Sequence, residues 1–233
     1  MPDAELITHL LISFPIVLFA LSVHEMAHAI TAKWGGDMTA ASQGRVTLNP
    51  ASHIDPIGTI LVPLLSVISS IPLIGWAKPV PTVDSNYTKG RNYGIVVAMA
   101  GPFSNLLLAL FSMVLLMFVI GSGGIFAAAG IEPNGRVFDL VTQILETSVM
   151  ANISLMLFNL MPIPPLDGSW LVWYWFVRGN PSREELFFTV ARWGWLILLL
   201  LLWTNIADLY LRTVGFGVVN TLLGYVNAYA ERM

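Results

Sequence analysis

The residues of this sequence best suited to chemistry form the run His24-Glu25-Met26-Ala27-His28. Residues four apart lie on the same face of an α-helix, so the two imidazoles can bind one metal ion together. The glutamate beside them is placed to act as a general base toward a water molecule at that ion. The run lies in an apolar stretch, where ionisable side chains are costly unless they face a polar cavity or a metal. We therefore predict a metal site; the alternative is a polar patch whose hydrogen bonds are satisfied between helices.

A catalytic zinc usually has three protein ligands and a water molecule, so a third ligand must come from elsewhere in the chain. The sequence contains no cysteine, which leaves histidine and carboxylate ligands. Asp55 fits a helix cap, and Asp84 lies in a polar loop. Asp139 and Glu146 lie near the start of their helix, at a different depth in the membrane. Asp167, which follows a proline cluster at the end of that helix, remains as the predicted third ligand; the alternative is a plain turn residue.

The composition indicates a membrane protein. Of 233 residues, 56% are hydrophobic and only 11% are charged, whereas a soluble domain usually carries about 25% charged residues. The run Tyr93–Ile120 contains no charged residue and exceeds the roughly 20 apolar residues that cross a bilayer. The net charge of −3 gives no indication of a nucleic-acid partner. We expect one membrane-embedded domain over residues 1–233, with the lipid bilayer around it.

The apolar stretches predict an all-α polytopic membrane protein, a bundle of about four to six membrane helices. Its core is expected over about residues 5–175, and further helices over 186–229 have an open role. Asp3 and Glu5 differ from the positive start of a signal peptide, so we expect the first helix to be retained. The predicted helices are Glu5–Trp34, ended by Gly35-Gly36, then Tyr93–Ile120, Val137–Met161 and an apolar helix that ends near Trp203 after a polar loop at Arg178–Glu185.

Met38–Pro50 is predicted to form a small β-hairpin near the active site. Two short runs flank a Ser42-Gln43-Gly44 turn, as expected of paired strands. An exposed edge of such a hairpin could pair with an extended substrate. The alternative is a hairpin with a structural role only.

Ile57–Trp76 is predicted to be a re-entrant segment. It is uncharged, but Pro63 and Pro72 interrupt it. Broken backbone at membrane depth is tolerated only against protein or water. Asp55-Pro56 has the pattern of a helix start, with aspartate as the cap and proline in the first turn.

Basic residues predict the orientation, because lysine and arginine in short loops mark the cytoplasmic side. The loop at residues 121–135 has none. This distribution places the N-terminus outside and the active site toward the cytoplasm, so that the end of the first helix and Asp167 reach similar depth. The basic residues between the first helix and the long uncharged run are Lys33, Arg45, Lys78, Lys89 and Arg91.

Several motifs together resemble the site-2 protease family of intramembrane zinc metalloproteases, most closely its branch without a PDZ domain. The likeness covers roughly residues 15–175. The motifs are His24-Glu25-Met26-Ala27-His28, Gly101-Pro102 with Asn105, Asn159-Leu160-Met161-Pro162 leading to Leu166-Asp167-Gly168, and the stretches Gly44-Arg45-Val46-Thr47-Leu48-Asn49-Pro50 and Gly75-Trp76-Ala77-Lys78-Pro79-Val80-Pro81.

The resemblance implies one zinc ion per chain bound by His24, His28 and Asp167, with Glu25 as the catalytic base. It also implies regulated intramembrane proteolysis in a bacterial or archaeal cell membrane, and the expected substrates are single-span membrane proteins. Rival functions are a membrane metal transporter and a scaffold whose helices are joined by a metal. Glu25 and the compactness of the cluster argue against transport, which usually needs polar positions along a path.

Three further polar residues are weaker candidates for the site. Asn159 precedes the prolines and either stabilises an oxyanion or satisfies backbone groups freed by the broken helix. Asn105 either supports the metal site or joins two helices by a hydrogen bond. His53 either lies at the membrane interface or acts near the metal or substrate.

Overall fold

The structure is a computed structural model that describes residues 4–64, 75–90, 92–122, 135–204 and 209–217, with residues 221 and 224. Within these ranges the chain forms helices and contains no strand. Three helices are long and apolar enough to cross a membrane. They are α1 (Ala4–Gly35), α3 (Tyr93–Gly121) and α4 (Arg136–Asn159).

The ends of these helices agree with the sequence prediction to within two residues. Helix α1 ends at Gly35, and Gly36 adopts φ +106°, a left-handed conformation that favours glycine. Helix α3 covers the predicted uncharged run, and α4 ends just before the prolines at 162, 164 and 165. The described residues therefore confirm three of the predicted membrane helices.

The three helices pack through small residues and a compact apolar cluster. Ala20, Ala29 and Ala32 of α1 are fully buried. Between α3 and α4 the buried cluster consists of Ala109, Val149, Ile153 and Leu157. In a lipid bilayer, burial of apolar surface contributes little to the association of helices. Small residues stabilise the contact instead, because they allow the helix backbones to approach closely. Large side chains point outward instead, among them Phe103, Phe111, Val114 and Phe118.

The predicted hairpin at Met38–Pro50 is wrong. Thr39–Ser42 forms a short helix, α2, and the chain then turns irregularly into a 3₁₀ turn at Pro50–Ser52. Asp37 begins the helical turn, because its Oδ1 accepts a hydrogen bond from the backbone N of Thr39 at 3.0 Å. No strand edge is therefore present in this segment to pair with a substrate.

The two ends of the predicted re-entrant segment meet. Asp55 caps a helical turn at Pro56–Leu61 by accepting hydrogen bonds from the backbone N of Ile57 and Gly58, as predicted. The backbone N of Trp76 donates to the oxygen of Gly58 at 3.2 Å. The chain therefore returns, at Trp76, to a position next to the start of the segment at Gly58. Residues 65–74 lie outside the described ranges.

After α4 the chain turns through the proline cluster into α5 (Asp167–Val172), which continues as a wider helical turn at Trp173–Val177. The predicted polar loop at Arg178–Glu185 is too long, because α6 (Pro181–Arg192) already begins inside it. Asn180 caps α6 by accepting from the backbone N of Arg183. Helix α7 (Gly194–Trp203) follows, and then a turn at Leu211–Phe216; most of the remaining C-terminal segment lies outside the described ranges.

Candidate metal centre

Three side chains selected from the sequence meet at one point. His24 and His28 lie one turn apart in the last third of α1, and Asp167 is the first residue of α5. The Nε2 atoms of the two histidines are 3.1 Å apart. Oδ2 of Asp167 lies 3.1 Å from Nε2 of His24 and 3.3 Å from Nε2 of His28. In the part of the chain that the structure describes, this is the one group of histidine and acidic side chains arranged to hold a metal ion.

Helix α3 orients both imidazole rings. Nδ1 of His24 lies 2.6 Å from Oδ1 of Asn105, and Nδ1 of His28 lies 2.7 Å from the backbone oxygen of Val97. Carbonyl oxygens only accept hydrogen bonds, so each Nδ1 carries the hydrogen and donates it. Each Nε2 therefore presents a lone pair to the centre, the tautomer that a metal ligand requires.

The three ligand atoms fit a zinc ion. Three lone pairs face one another, and Oδ2 of Asp167 is buried without a hydrogen-bond donor. Such an arrangement is electrostatically unfavourable unless a cation lies between the atoms. Zinc–ligand distances of about 2.0–2.1 Å at tetrahedral angles place neighbouring ligand atoms about 3.3 Å apart. The observed separations of 3.1 to 3.3 Å match that value.

Gly101 lets α3 approach this centre. A Cβ atom at position 101 would overlap Nε2 of both His24 and His28. Only a residue without a side chain lets Val97 and Asn105, on either side of it along α3, reach the two imidazoles. The motif Gly101-Pro102 thus has a steric role that its spacing alone did not reveal.

Glu25 is held by a backbone hydrogen bond from another part of the chain. Its Oε2 accepts from the backbone N of Val80 at 2.9 Å. Val80 lies in an irregular stretch, residues 77–83, which follows the re-entrant segment. The stretch lines the same cavity as the three ligand residues and therefore fixes the carboxylate next to them.

Arg45 and His53 hold the irregular stretch at residues 77–83 in place through hydrogen bonds, and the backbone oxygen of His53 accepts from the backbone N of Lys78 at 2.8 Å. Arg45 is buried, and its guanidinium donates to the backbone oxygens of Ser52, Lys78 and Pro79. His53 is 1% exposed, and its Nε2 donates to the oxygen of Thr47 at 2.9 Å. His53 therefore belongs to the packing of these loops. It is neither in the group of His24, His28 and Asp167 nor among the residues that line their cavity.

A cavity of about 920 Å³ opens on the group formed by His24, Glu25, His28 and Asp167. Asn159 lines it too, but its Nδ2 donates to the oxygen of Leu155, one turn back along α4. This bond is a local contact within α4, and the predicted roles of Asn159 in stabilising an oxyanion or satisfying freed backbone groups stay predictions. Aromatic side chains from several elements form much of the remaining wall: Trp76, Phe158, Trp170, Trp173, Tyr174 and Trp195.

A polar cluster at the cavity wall joins the loop before α3 to the segment after α5. The hydroxyl of Tyr174 donates to Oδ1 of Asp84, and Arg178 lies 3.8 Å from Oδ2 of the same carboxylate. Burial, together with the carboxylate of Asp84, raises the pKa of Tyr174 well above its ordinary value. Tyr174 therefore stays protonated and keeps this hydrogen bond at neutral pH.

Sequence reasoning selected the three candidate ligands, the glutamate and Asn105, which contacts Nδ1 of His24, but missed the other residues that hold them. Asn152 on α4, which contacts Asn105, was not selected, although an asparagine within an apolar helix is a signal for an interhelical hydrogen bond. Val80 and Val97 act through backbone atoms, and no side-chain pattern indicates such a role.

Comparison with known proteins agrees with the motif resemblance. Residues 122–201 match Peptidase family M50. The chain is 39% identical over 152 residues to a Bacillus subtilis (strain 168) protein named "Putative zinc metalloprotease YwhC", covering 65% of this chain and 63% of that one. It is 29% identical over 189 residues to a Mycolicibacterium smegmatis (strain ATCC 700084 / mc(2)155) protein named "Putative zinc metalloprotease Rip2", covering 80% and 64%. The chain thus spans less than two thirds of the length of these relatives. No solved structure shows a significant match.

The fold and the site together define an integral membrane protein with a His-His-Asp group at the end of a spanning helix. Residues 122–201 match the model of Peptidase family M50, and the chain is similar to relatives named as putative zinc metalloproteases, so the comparisons agree with the resemblance to the site-2 protease family.

Proposed function

We propose that this chain is a zinc metalloendopeptidase that hydrolyses peptide bonds in or near the transmembrane segments of other membrane proteins. One observation carries the proposal. The His24, His28 and Asp167 group opens on the same cavity as Glu25, inside a helix long enough to span the bilayer. The candidate metal centre and the carboxylate of Glu25 beside it could together hydrolyse a peptide bond that the surrounding lipid otherwise shields from water.

His24, His28 and Asp167 would hold the zinc ion through two imidazole nitrogens and one carboxylate oxygen. A bound zinc ion supplies a Lewis acid that polarises the scissile carbonyl and acidifies a water molecule. A site with three protein ligands leaves a position for that water molecule and the substrate.

Glu25 moves the proton. Its carboxylate accepts a proton from the attacking water molecule and returns it to the leaving amine nitrogen as the C–N bond breaks. The hydrogen bond from Val80 occupies Oε2 and holds the side chain in one orientation. Oε1 has no hydrogen-bond partner among the described residues, so it is the oxygen proposed to take the proton.

The substrate proposed is an apolar segment that unwinds locally. In a lipid-embedded helix every backbone N–H and C=O is bonded within the helix, so a scissile bond must leave that helix before water can attack it. The aromatic wall of the cavity provides apolar contacts for the side chains of such a segment. The proposed substrates are single-span membrane proteins.

The orientation proposed places the N-terminus outside the cell membrane and the active site toward the cytoplasm. Lys33, Arg45, Lys78 and Lys89 lie between the apolar part of α1 and the start of α3, and this excess of basic residues supports a cytoplasmic position for that loop. The chain then crosses outward through α3 and inward through α4, which brings Asp167 to the depth of His28.

Replacing Glu25 by glutamine tests the proposal. The glutamine side chain keeps an oxygen that accepts from Val80 but cannot act as a base. Cleavage of single-span membrane proteins co-reconstituted in liposomes should therefore slow by a factor of about 10²–10⁴, with zinc content unchanged. Glu185→Gln, an exposed change on α6, is the matched control and should cleave at the wild-type rate.

The same variant separates the rival functions. A metal transporter or a metal-joined scaffold would behave alike with glutamate or glutamine at position 25, both in zinc uptake by liposomes and in thermal stability. The protease proposal would be replaced by transport if the wild-type protein bound zinc stoichiometrically and carried it into liposomes, yet cleaved none of a panel of single-span membrane proteins.

A further inference from the structure

A row of buried polar side chains leads from the metal centre into the contact between α3 and α4. Nδ2 of Asn105 donates to Oδ1 of Asn152 at 3.0 Å. Nδ2 of Asn152 donates in turn to the backbone oxygen of Ser148 at 2.9 Å. Asn105 is fully buried and Asn152 is 1% exposed, so neither amide has bulk water as an alternative partner.

The row has a fixed direction. The backbone oxygen of Ser148 can only accept, so Asn152 must turn its NH₂ group toward it and its carbonyl oxygen toward Asn105. Asn105 must then turn its NH₂ group toward Asn152 and its carbonyl oxygen toward His24. A reversed Asn152 amide would set two acceptors against each other at Ser148 and two donors against each other at Asn105.

The direction of the row determines which nitrogen of His24 carries the hydrogen. A carbonyl oxygen at 2.6 Å from Nδ1 requires a hydrogen on that atom, which leaves the lone pair on Nε2 toward Asp167 and His28. If Asn105 turned around, its NH₂ group would face Nδ1 and favour the tautomer with the hydrogen on Nε2. That tautomer cannot bind the metal through Nε2.

We propose that Asn152 is a positioning residue for the metal centre: by fixing the direction of the Asn105 amide, it holds His24 in the tautomer that binds zinc. The inference rests on the metal centre of the proposed function. Asn152 touches neither the ligand atoms nor the cavity, and it acts only through Asn105.

A purely structural role in joining α3 and α4 predicts different behaviour. The same two helices share a second polar contact, between Oγ of Ser112 and Oγ of Ser148 at 2.9 Å. Oγ of Ser148 also accepts a longer hydrogen bond, at 3.4 Å, from Nδ2 of Asn152, but Ser112 itself does not contact Asn152 or Asn105. Ser112→Ala removes that contact and leaves the carbonyl of Ser148 in place. Ser112→Ala is therefore the matched control: it removes a hydrogen bond between α3 and α4 but leaves the orientation of the Asn105 amide unchanged.

The experiment measures the zinc dissociation constant of the full-length protein in detergent by competition with a chromophoric chelator. Asn152→Leu, which has nearly the same shape but no polar group, should weaken zinc binding by about 10- to 100-fold. Ser112→Ala should bind as wild type does. Asn152→Asp should stay close to wild type, because a buried neutral carboxyl group can still donate to Ser148 and accept from Asn105. If Asn152→Leu does not fold, Asn152→Ala gives the same comparison.

A second change makes the test specific to direction. An aspartate at position 105 offers His24 only acceptor oxygens, whichever way it turns, so adding Asn105→Asp to Asn152→Leu should restore most of the lost zinc affinity. Wild-type affinity in Asn152→Leu, or no restoration in the double variant, would overturn the role of Asn152. A wild-type protein that binds no zinc would instead refute the metal centre itself, and the two failures are thus distinguishable.

Discussion

Substituting Gly101 by alanine tests whether α3 and the two histidines form one closely fitted unit. The added Cβ would overlap Nε2 of both His24 and His28, so the rings must retreat by on the order of 1 Å to reach ordinary van der Waals contact. Metal–ligand distances tolerate deviations of only about 0.2 Å. The substitution therefore acts on the ligand atoms themselves.

The expected loss of zinc affinity follows from this displacement. Changes to groups that merely orient ligands weaken metal binding by about 10- to 100-fold, so displacing two ligands should cost at least about 100-fold, or about 2.7 kcal/mol. The fold itself should survive. Overpacking costs about 1–3 kcal/mol, and alanine offsets about 1 kcal/mol of that through its higher helix propensity.

The assay is chelator competition on purified protein, together with the thermal unfolding midpoint with and without zinc. Gly217→Ala is the control, since a Cβ there meets nothing within 4 Å and the backbone is helical at φ −58°. Wild-type zinc affinity in Gly101→Ala would show that α3 does not constrain the histidines as described.

Three further outcomes are expected. Removing zinc with a chelator should lower the wild-type unfolding midpoint, since zinc at 100 times its dissociation constant stabilises by about 2.7 kcal/mol, while Asp167→Asn should respond little. Asp37→Ala should reduce the free energy of unfolding by about 1–3 kcal/mol, because the buried carboxylate accepts from the backbone N of Val83 at 2.7 Å. Burial raises the pKa of Asp37, but its hydrogen bonds outweigh that effect and lower the pKa, so the difference between wild type and variant should be full above about pH 4 and vanish as the pH falls through the lowered pKa. Because the sequence has no cysteine, a membrane-impermeant maleimide should label Ser85→Cys only from the cytoplasmic side and Asp139→Cys only from outside; the opposite labelling would reverse the proposed orientation.

Features with strong local signals were predictable from the sequence. The uncharged run at Tyr93–Ile120 and the glycines Gly35 and Gly36 at the end of α1 predicted helix ends closely, because charge and backbone freedom act locally. The meeting of His24 and His28 with Asp167 followed from depth in the membrane, a constraint that soluble proteins lack. Asp55 as a helix cap followed from its proline neighbour.

Features that depend on packing were not predictable. The predicted hairpin at Met38–Pro50 was wrong because two alanines and the hydrogen bond from the backbone N of Thr39 to Asp37 favour a helical turn. In addition, Arg45 is buried and donates to backbone oxygens far along the chain. The backbone bond from Val80 to Glu25 depends on how the returning re-entrant segment continues, and no side-chain pattern encodes it. The role of Asn152 depends on a neighbour across α3 and α4.

The order of the ligands along the chain has a consequence for biosynthesis. Helix α1 carries both histidines and is made first, whereas Asp167 is made only after α3, α4 and the proline turn. A nascent chain that has not yet been synthesised beyond that turn contains His24 and His28 but lacks Asp167, the third candidate metal ligand. The proposed centre therefore matures late, once the helices that surround it have been inserted, and a half-made protein lacks the complete centre needed to cut its neighbours in the membrane.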